Sequence, residues 1–171
     1  FDVGKGEILG IAGVSGNGQG ELTQVLTGLI SPHKGSIKLE GKDISHLSPG
    51  EISDAGVGRT PQDRHEGIVG DLTVAENLAL ENLPNFTHKG FLDRKKINQE
   101  AVEKIKEFQI KASPNDQLRK LSGGNMQKVV LARALSRNPK VLIASQPTRG
   151  LDVGATEYVR KRLLDERDRG T

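Results

Sequence analysis

The 171-residue sequence predicts an α/β domain with a small antiparallel hairpin and an inserted helical segment. Three observations carry that expectation. The apolar run Ile8-Leu9-Gly10-Ile11-Ala12 passes through a glycine-rich loop into Leu22, Val25, Leu26, Leu29 and Ile30, which follow helical spacing. Strand, loop and helix in that order form the first unit of an α/β fold. A second continuous apolar run, Val141–Ala144, follows Asn138-Pro139 and reads as another buried strand. Between the two, residues 72–135 carry mostly helical periodicity.

Taken along the chain, Ile8–Ala12 is expected to be a buried strand, and the helix after it to end at Pro32. Residues 35–44 alternate apolar and polar side chains around Gly41, the pattern of a hairpin. Val74, Leu78 and Ala79 mark one helix. A second has Asp93 as its N-cap and Ile97, Ala101, Ile105 and Phe108 on one face. Ser122 caps a third, with Met126, Val129, Val130 and Ala134 inward, and a last helix runs from about Ala155 to Arg169. Residues 1–171 are expected to be a single, truncated domain: a core of about 1–70 and 136–171, and a helical subdomain of about 71–135.

Composition narrows the classes of function. Mean hydropathy is −0.47, and no apolar run approaches the ~18 residues that span a bilayer. Without cysteine there is neither a disulfide scaffold nor a thiolate metal site. The net charge of +3 raises nucleic-acid binding. However, the basic residues are scattered among 22 acidic ones, and one Tyr, four Phe and no Trp leave little surface for base stacking. Nucleic acid is therefore not expected as a partner. The four histidines are scattered without ligand spacing, and no metal-ligating set is expected.

The loop Gly13-Val14-Ser15-Gly16-Asn17-Gly18-Gln19-Gly20 leads into Glu21 and has the glycine spacing of a Walker A phosphate loop. Its glycines let successive amides turn inward, and the helix start adds partial positive charge for phosphate. Two side chains of the motif are replaced. Gln19 stands where lysine would meet the β- and γ-phosphates, and Gly20 where a hydroxyl would bind magnesium. A charge-assisted hydrogen bond is worth about 1.5–3 kcal/mol, so losing the lysine weakens binding about ten- to a hundred-fold. A glycine-rich turn that binds nothing is the competing reading of this loop.

Leu121-Ser122-Gly123-Gly124-Asn125-Met126-Gln127 opens a helix whose first amides the two glycines expose. It lies after the helical insert and just before the strand that ends in Ser145-Gln146-Pro147-Thr148-Arg149-Gly150-Leu151-Asp152. With Gln62 in Gly58-Arg59-Thr60-Pro61-Gln62-Asp63-Arg64, the order is phosphate loop, glutamine loop, helical insert, LSGG signature, Walker B position and D-loop. In this order and spacing the chain resembles the ABC ATPase family, a P-loop NTPase-like fold, over essentially its whole length. It is most similar to the second nucleotide-binding half of tandem ATPases from simple-sugar and nucleoside importers.

The resemblance implies an ATP-binding, energy-coupling subunit, cytoplasmic and peripheral on the inner face of the membrane. It also implies partners: a second nucleotide-binding domain in the same full-length chain, transmembrane permease subunits and, indirectly, a solute-binding protein. Gln62 would sense the γ-phosphate. The signature residues Leu121, Ser122, Gly123, Gly124, Asn125 and Gln127, with the D-loop residues Gly150, Leu151 and Asp152, would serve the ATP held by the partner domain. An adenine-stacking aromatic would precede residue 1 and a switch histidine would follow residue 171.

Four positions depart from the pattern. Besides Gln19 and Gly20, Ser145 replaces the aspartate that helps hold magnesium, and Gln146 replaces the glutamate that acts as general base. Glutamine takes no proton near neutral pH, and loss of a general base costs about 10²–10⁴ in rate. No intact catalytic residue is therefore expected at the local site, and magnesium is expected to be held poorly there. A nucleotide-free dimerisation and docking module is the alternative expectation.

Overall fold

The computed structural model describes residues 1–14 and 16–171. The expectation for Ser15 therefore lies outside the described residues. Six helices are described: α1 (Gln19–Leu26), α2 (Pro49–Ala55), α3 (Val74–Ala79), α4 (Arg94–Glu107), α5 (Gly123–Leu135) and α6 (Val153–Asp168). The described strands are β1 (Lys38–Leu39), β2 (Lys42–Asp43), β3 (Val57–Thr60), β4 (Thr87–His88), β5 (Phe91–Leu92) and β6 (Val141–Ala144). Among the described residues no helix is long and apolar enough to cross a membrane.

The hairpin expected around Gly41 is β1 and β2, paired antiparallel. Its two turn residues, Glu40 and Gly41, both have positive φ (48° and 80°), as a tight hairpin turn matching strand twist requires. A second hairpin, β4–β5, turns on Lys89-Gly90 with the same signs of φ. The parallel pair β3–β6 is the framework of the core, with Thr60 opposite Ala144.

Helix starts follow from local chemistry. Ser48 and Thr73 each form a reciprocal capping box, with Glu51 and Glu76 respectively. The Asp93 carboxylate accepts from the Lys96 amide, and that of Asp152 from the Ala155 amide. Helix α5 is buried almost all round from Met126 to Leu135, so it is the central helix of the molecule. It packs with Val74, Leu78, Ala101, Phe108 and Leu118 in the larger apolar cluster. Ile44, Ile52 and Val57 form a smaller one beside the first hairpin.

Two expectations need correction. Ile8–Ala12 is not a buried strand: it carries no ladder in the structure, and Ile8, Leu9 and Ile11 are exposed. A strand is made by its neighbours, and here β3 and β6 bond to one another rather than to this run. The first helix ends at Leu26, not at Pro32. Gly28 takes φ 74° and passes so close to α2 that a β-carbon there would lie 2.7 Å from Ile52 Cδ1 and 2.8 Å from the Leu47 carbonyl. Leu29 and Ile30 are consequently exposed rather than on a helical face. Val141–Ala144 is a strand as expected, but it is only partly buried.

The buried polar centre of the helical part is Asn77. Its Oδ1 accepts from the Val69 amide at 2.9 Å, and its Nδ2 donates to the Val69 and Thr73 carbonyls at 3.0 and 2.9 Å. The side chain thus pins the chain entering α3. Asn77→Ala empties a fully buried side-chain site and removes the hydrogen bonds that hold the Val69 amide and carbonyl, so it is expected to lower unfolding free energy by about 1–3 kcal/mol. Equilibrium urea unfolding checks this through a lower midpoint at an unchanged slope.

Candidate functional site

The carboxyl ends of β3 and β6 define where chemistry can sit, as in other open α/β sheets. The Ser145 amide donates to the Thr60 carbonyl at 3.3 Å. Gln62, two residues past β3, therefore leaves the sheet on the same edge as Ser145 and Gln146. Helix α1 reaches that edge too, because Thr23 Oγ1 lies 3.2 Å from Ser145 Oγ. The structure thus brings the phosphate-loop helix, Ser145, Gln146 and the Gln62 loop to one end of the β3–β6 pair.

In the described part of the glycine loop, Gly16 and Gly18 have φ of 89° and 91°, and Gly18 opens α1 without any side-chain cap. The first amides of α1 have no intrahelical acceptor. Gln19 Nε2 folds back to donate to the Val14 carbonyl at 3.3 Å, which also accepts from the Asn17 amide at 3.2 Å. Gly13 makes this possible, since a β-carbon there would lie 2.3 Å from Gln19 Nε2. Gly20 meets nothing within 4 Å, and Glu21 is exposed in the first turn of α1. Gln146 is exposed with φ 44°, a left-handed conformation uncommon for a residue with a β-carbon.

The segments expected to be signature and D-loop meet on a second face. Ser122 Oγ accepts from the Asn125 amide (3.4 Å) and from Asn125 Nδ2 (3.0 Å). Asn125 Oδ1 accepts from the Lys111 amide at 2.9 Å, so this side chain ties the helix start to the chain after α4. A β-carbon at Gly124 would lie 3.1 Å from Ala155 Cβ. The starts of α5 and α6 are therefore in close contact, and Asp152, the last of the three residues expected to form the D-loop, serves as the α6 cap. Leu121 is partly buried against the larger cluster. Gln127 is buried on α5 and does not line an open surface. Gly150 takes φ 65° between Arg149 and Leu151.

Electrostatics bind these elements further. Lys128 Nζ sits 4.3 Å from the Tyr158 ring centroid and donates to the Gln109 carbonyl. Burial pushes its ammonium pKa down, and burial pushes the Tyr158 phenol up. The Arg133 guanidinium is buried, which lowers its pKa against the opposing pull of Glu81. It pairs with Glu81 at 3.2 Å and donates to the Gly67 carbonyl.

One candidate lies within the Gly58–Arg64 motif, where the sequence assigns it no role of its own. Arg64, a lone arginine in a polar turn, reaches both the signature and the D-loop: Nη1 donates to the Arg149 carbonyl at 3.0 Å. A β-carbon at Gly123 would lie 3.1 Å from Arg64 Nη2.

Comparison with known proteins places this fold in a family. The family profile described as ABC transporter matches residues 1–149. The chain is 50% identical over 174 residues to the nucleoside import ATP-binding protein NupA of Lactococcus lactis, covering 99% of this chain and 34% of that protein. It is 41% identical over 179 residues to the glucose import ATP-binding protein TsgD13 of Haloferax volcanii, covering 99% and 32%. The chain thus spans about a third of the length of the curated relatives it matches. A dimeric ATP-binding cassette solved in a post-hydrolysis state with ADP and Pi superposes with a TM-score of 0.81 at 26% identity, over 99% of this chain and 73% of that one.

Proposed function

The chain belongs to the ABC transporter family, and from that membership we propose that it is an ATP-binding, energy-coupling module of an importer for nucleosides or simple sugars. It retains nucleotide loosely at its own glycine loop, does not hydrolyse it there, and lends its signature to a competent site on a second cassette. That cassette lies in the same full-length polypeptide. A permease docks against both on the cytoplasmic face of the membrane and receives solute from a binding protein. Residues of about 71–135 act as the helical subdomain, and the flanking segments as its nucleotide-binding core.

The observation that carries this reading is the contrast between the two faces. On the signature face, Ser122 caps α5 and its glycines are closely packed by Arg64 and Ala155. On the other, Gln19, Gly20, Ser145 and Gln146 converge on one sheet edge with none of the charges that phosphoryl transfer needs. The relatives named for nucleoside and glucose import supply the solute classes. What remains at the loop is backbone chemistry: the uncapped start of α1 and two glycines with left-handed φ. These suffice to hold phosphate without a side-chain cation. ATP is therefore expected as the ligand, with magnesium adding little.

One observation favours a second reading, an empty docking module: the Gln19 amide already spends itself on the Val14 carbonyl inside the loop. Calorimetric titration with ATP, with and without magnesium, separates the two. The expected result is weak binding that magnesium strengthens by less than about threefold, since the ion's anchoring hydroxyl and carboxylate are gone. No heat at any accessible ATP concentration would establish the empty module instead.

A further inference from the structure

The segment that carries Gln62 is not a loose loop. The Asp63 carboxylate accepts from the His65 amide at 2.9 Å, and the Glu66 and Gly67 amides turn back to the Asp63 and Arg64 carbonyls at 3.1 Å each. Gly67 is packed under Pro61, where a β-carbon would lie 2.6 Å from the proline Cγ. This closed turn sends the Arg64 side chain toward the start of α5. Its Nη1 donates to the Arg149 carbonyl at 3.0 Å, immediately before Gly150 of the D-loop. Its Nη2 and Nε lie over Gly123, 3.1 and 3.4 Å from where a β-carbon would stand. The Nε is sealed from solvent without an acceptor. Arg133, near the far end of α5, holds the other end of the same turn through the Gly67 carbonyl. Two arginines therefore stitch residues 61–67 along α5, one at each end.

We propose that Arg64 is a positioning residue that couples Gln62 to the signature and the D-loop. This inference rests on the assignment of those motifs under the proposed function. It adds a direction of communication: the contents of the local loop, sensed by Gln62, are transmitted through one guanidinium to the groups that face the partner's ATP. The planar fork is what allows it. One nitrogen holds the D-loop carbonyl while another covers the signature glycine, and a lysine ammonium, a single point donor, does not span both. Gly123 suits the receiving side, because a β-carbon there would press the guanidinium away by a few tenths of an ångström. A small shift of Gln62 is thereby converted into a shift of α5's first turn, where errors near 1 Å can cost about 10² in rate.

The test is a double-mutant cycle on ATP turnover, measured per bound nucleotide in the full-length protein assembled with its permease. Arg64→Ala and Gln62→Ala are each expected to lower turnover about ten- to a hundred-fold. The double variant is expected to fall within about threefold of the worse single one, because both changes cut the same link. Arg64→Lys is measured alongside, in case the alanine variant fails to fold, and is expected to lose about tenfold and to give the same non-additivity with Gln62→Ala. A merely structural role for Arg64 would make the two losses multiply, and that result overturns the inference. So does an Arg64→Ala protein within twofold of the parent. Ser122→Arg is run as the reference. If it turned over normally, the signature assignment would fail and take this inference with it. If it is dead while the cycle is additive, the coupling role of Arg64 alone is wrong.

Discussion

Ser122→Arg is expected to lower ATP turnover of the full-length, assembled protein by about 10²–10³, the loss typical of removing a preorganised electrostatic donor from a phosphoryl or acyl transfer site. Ser122 ends the non-helical stretch before α5, and its hydroxyl both caps that helix and holds Asn125. An arginine there removes the cap and places a cation at the positive end of the helix, where anions rather than cations are favoured. The surroundings add a second positive group, since the Arg64 guanidinium already lies over Gly123. The loss should appear in turnover while nucleotide binding at the local loop of the same domain is unchanged, because Ser122 belongs to the other face. Turnover and equilibrium nucleotide binding, measured on one preparation, check both halves of the statement. Retained turnover would mean that this signature serves no catalytic site.

The complementary experiment rebuilds the local site. Gln19→Lys, Gly20→Ser, Ser145→Asp and Gln146→Glu together should raise its hydrolysis by about 10²–10⁴, the worth of a general base. Gln146→Glu alone should gain less than about tenfold, since magnesium would still lack its anchors. The backbone permits each change. Gly20 sits in α1 with no heavy atom within 4 Å of an added β-carbon. Gln146 already holds φ 44° with a side chain of nearly glutamate's size. Ser145 faces Thr23 Oγ1 at 3.2 Å, where an aspartate finds a hydroxyl donor. Lysine at 19 would start from the path that brings Gln19 Nε2 to the Val14 carbonyl. The measurement is single-turnover hydrolysis in a background whose second site lacks its own general base. A rebuilt site that stays at background would show that something besides these four side chains holds it inactive.

Periodicity and capping made much of the fold legible. Asp93, Ile97, Ala101 and Phe108 set α4 as expected, with Asp93 capping and the other three buried. The pattern Ser48-Pro49-Gly50-Glu51 also carries a helix start, and the structure shows its capping box complete. Lys89-Gly90 likewise holds a hairpin signal, and the β4–β5 hairpin it makes interrupts the helical periodicity expected over residues 72–135. Two failures have other causes. Gly28 ends α1 through a left-handed φ and a close approach to α2, a tertiary contact that helical spacing of Leu29 and Ile30 does not reveal. Ile8–Ala12 has a strand's composition, but composition describes one chain segment and a ladder needs two. Motif spacing singles out Gln62, Ser122 and Asp152 as candidates. It gives Arg64 no separate role, because nothing local in the sequence shows that its guanidinium reaches the Arg149 carbonyl 85 residues away.

The packing around the glycines also bears on how such a domain changes over evolutionary time. At position 20 an added β-carbon meets open space, so a side chain there is opposed by no neighbour, and glycine itself costs α1 about 0.5–1 kcal/mol of helix propensity. At positions 123 and 124 an added β-carbon would lie 3.1 Å from Arg64 Nη2 and from Ala155 Cβ, so a larger residue asks those neighbours to give way by a few tenths of an ångström. The two faces of the domain therefore meet substitution on different terms: one takes a new side chain into open space, the other only with movement of what packs against it.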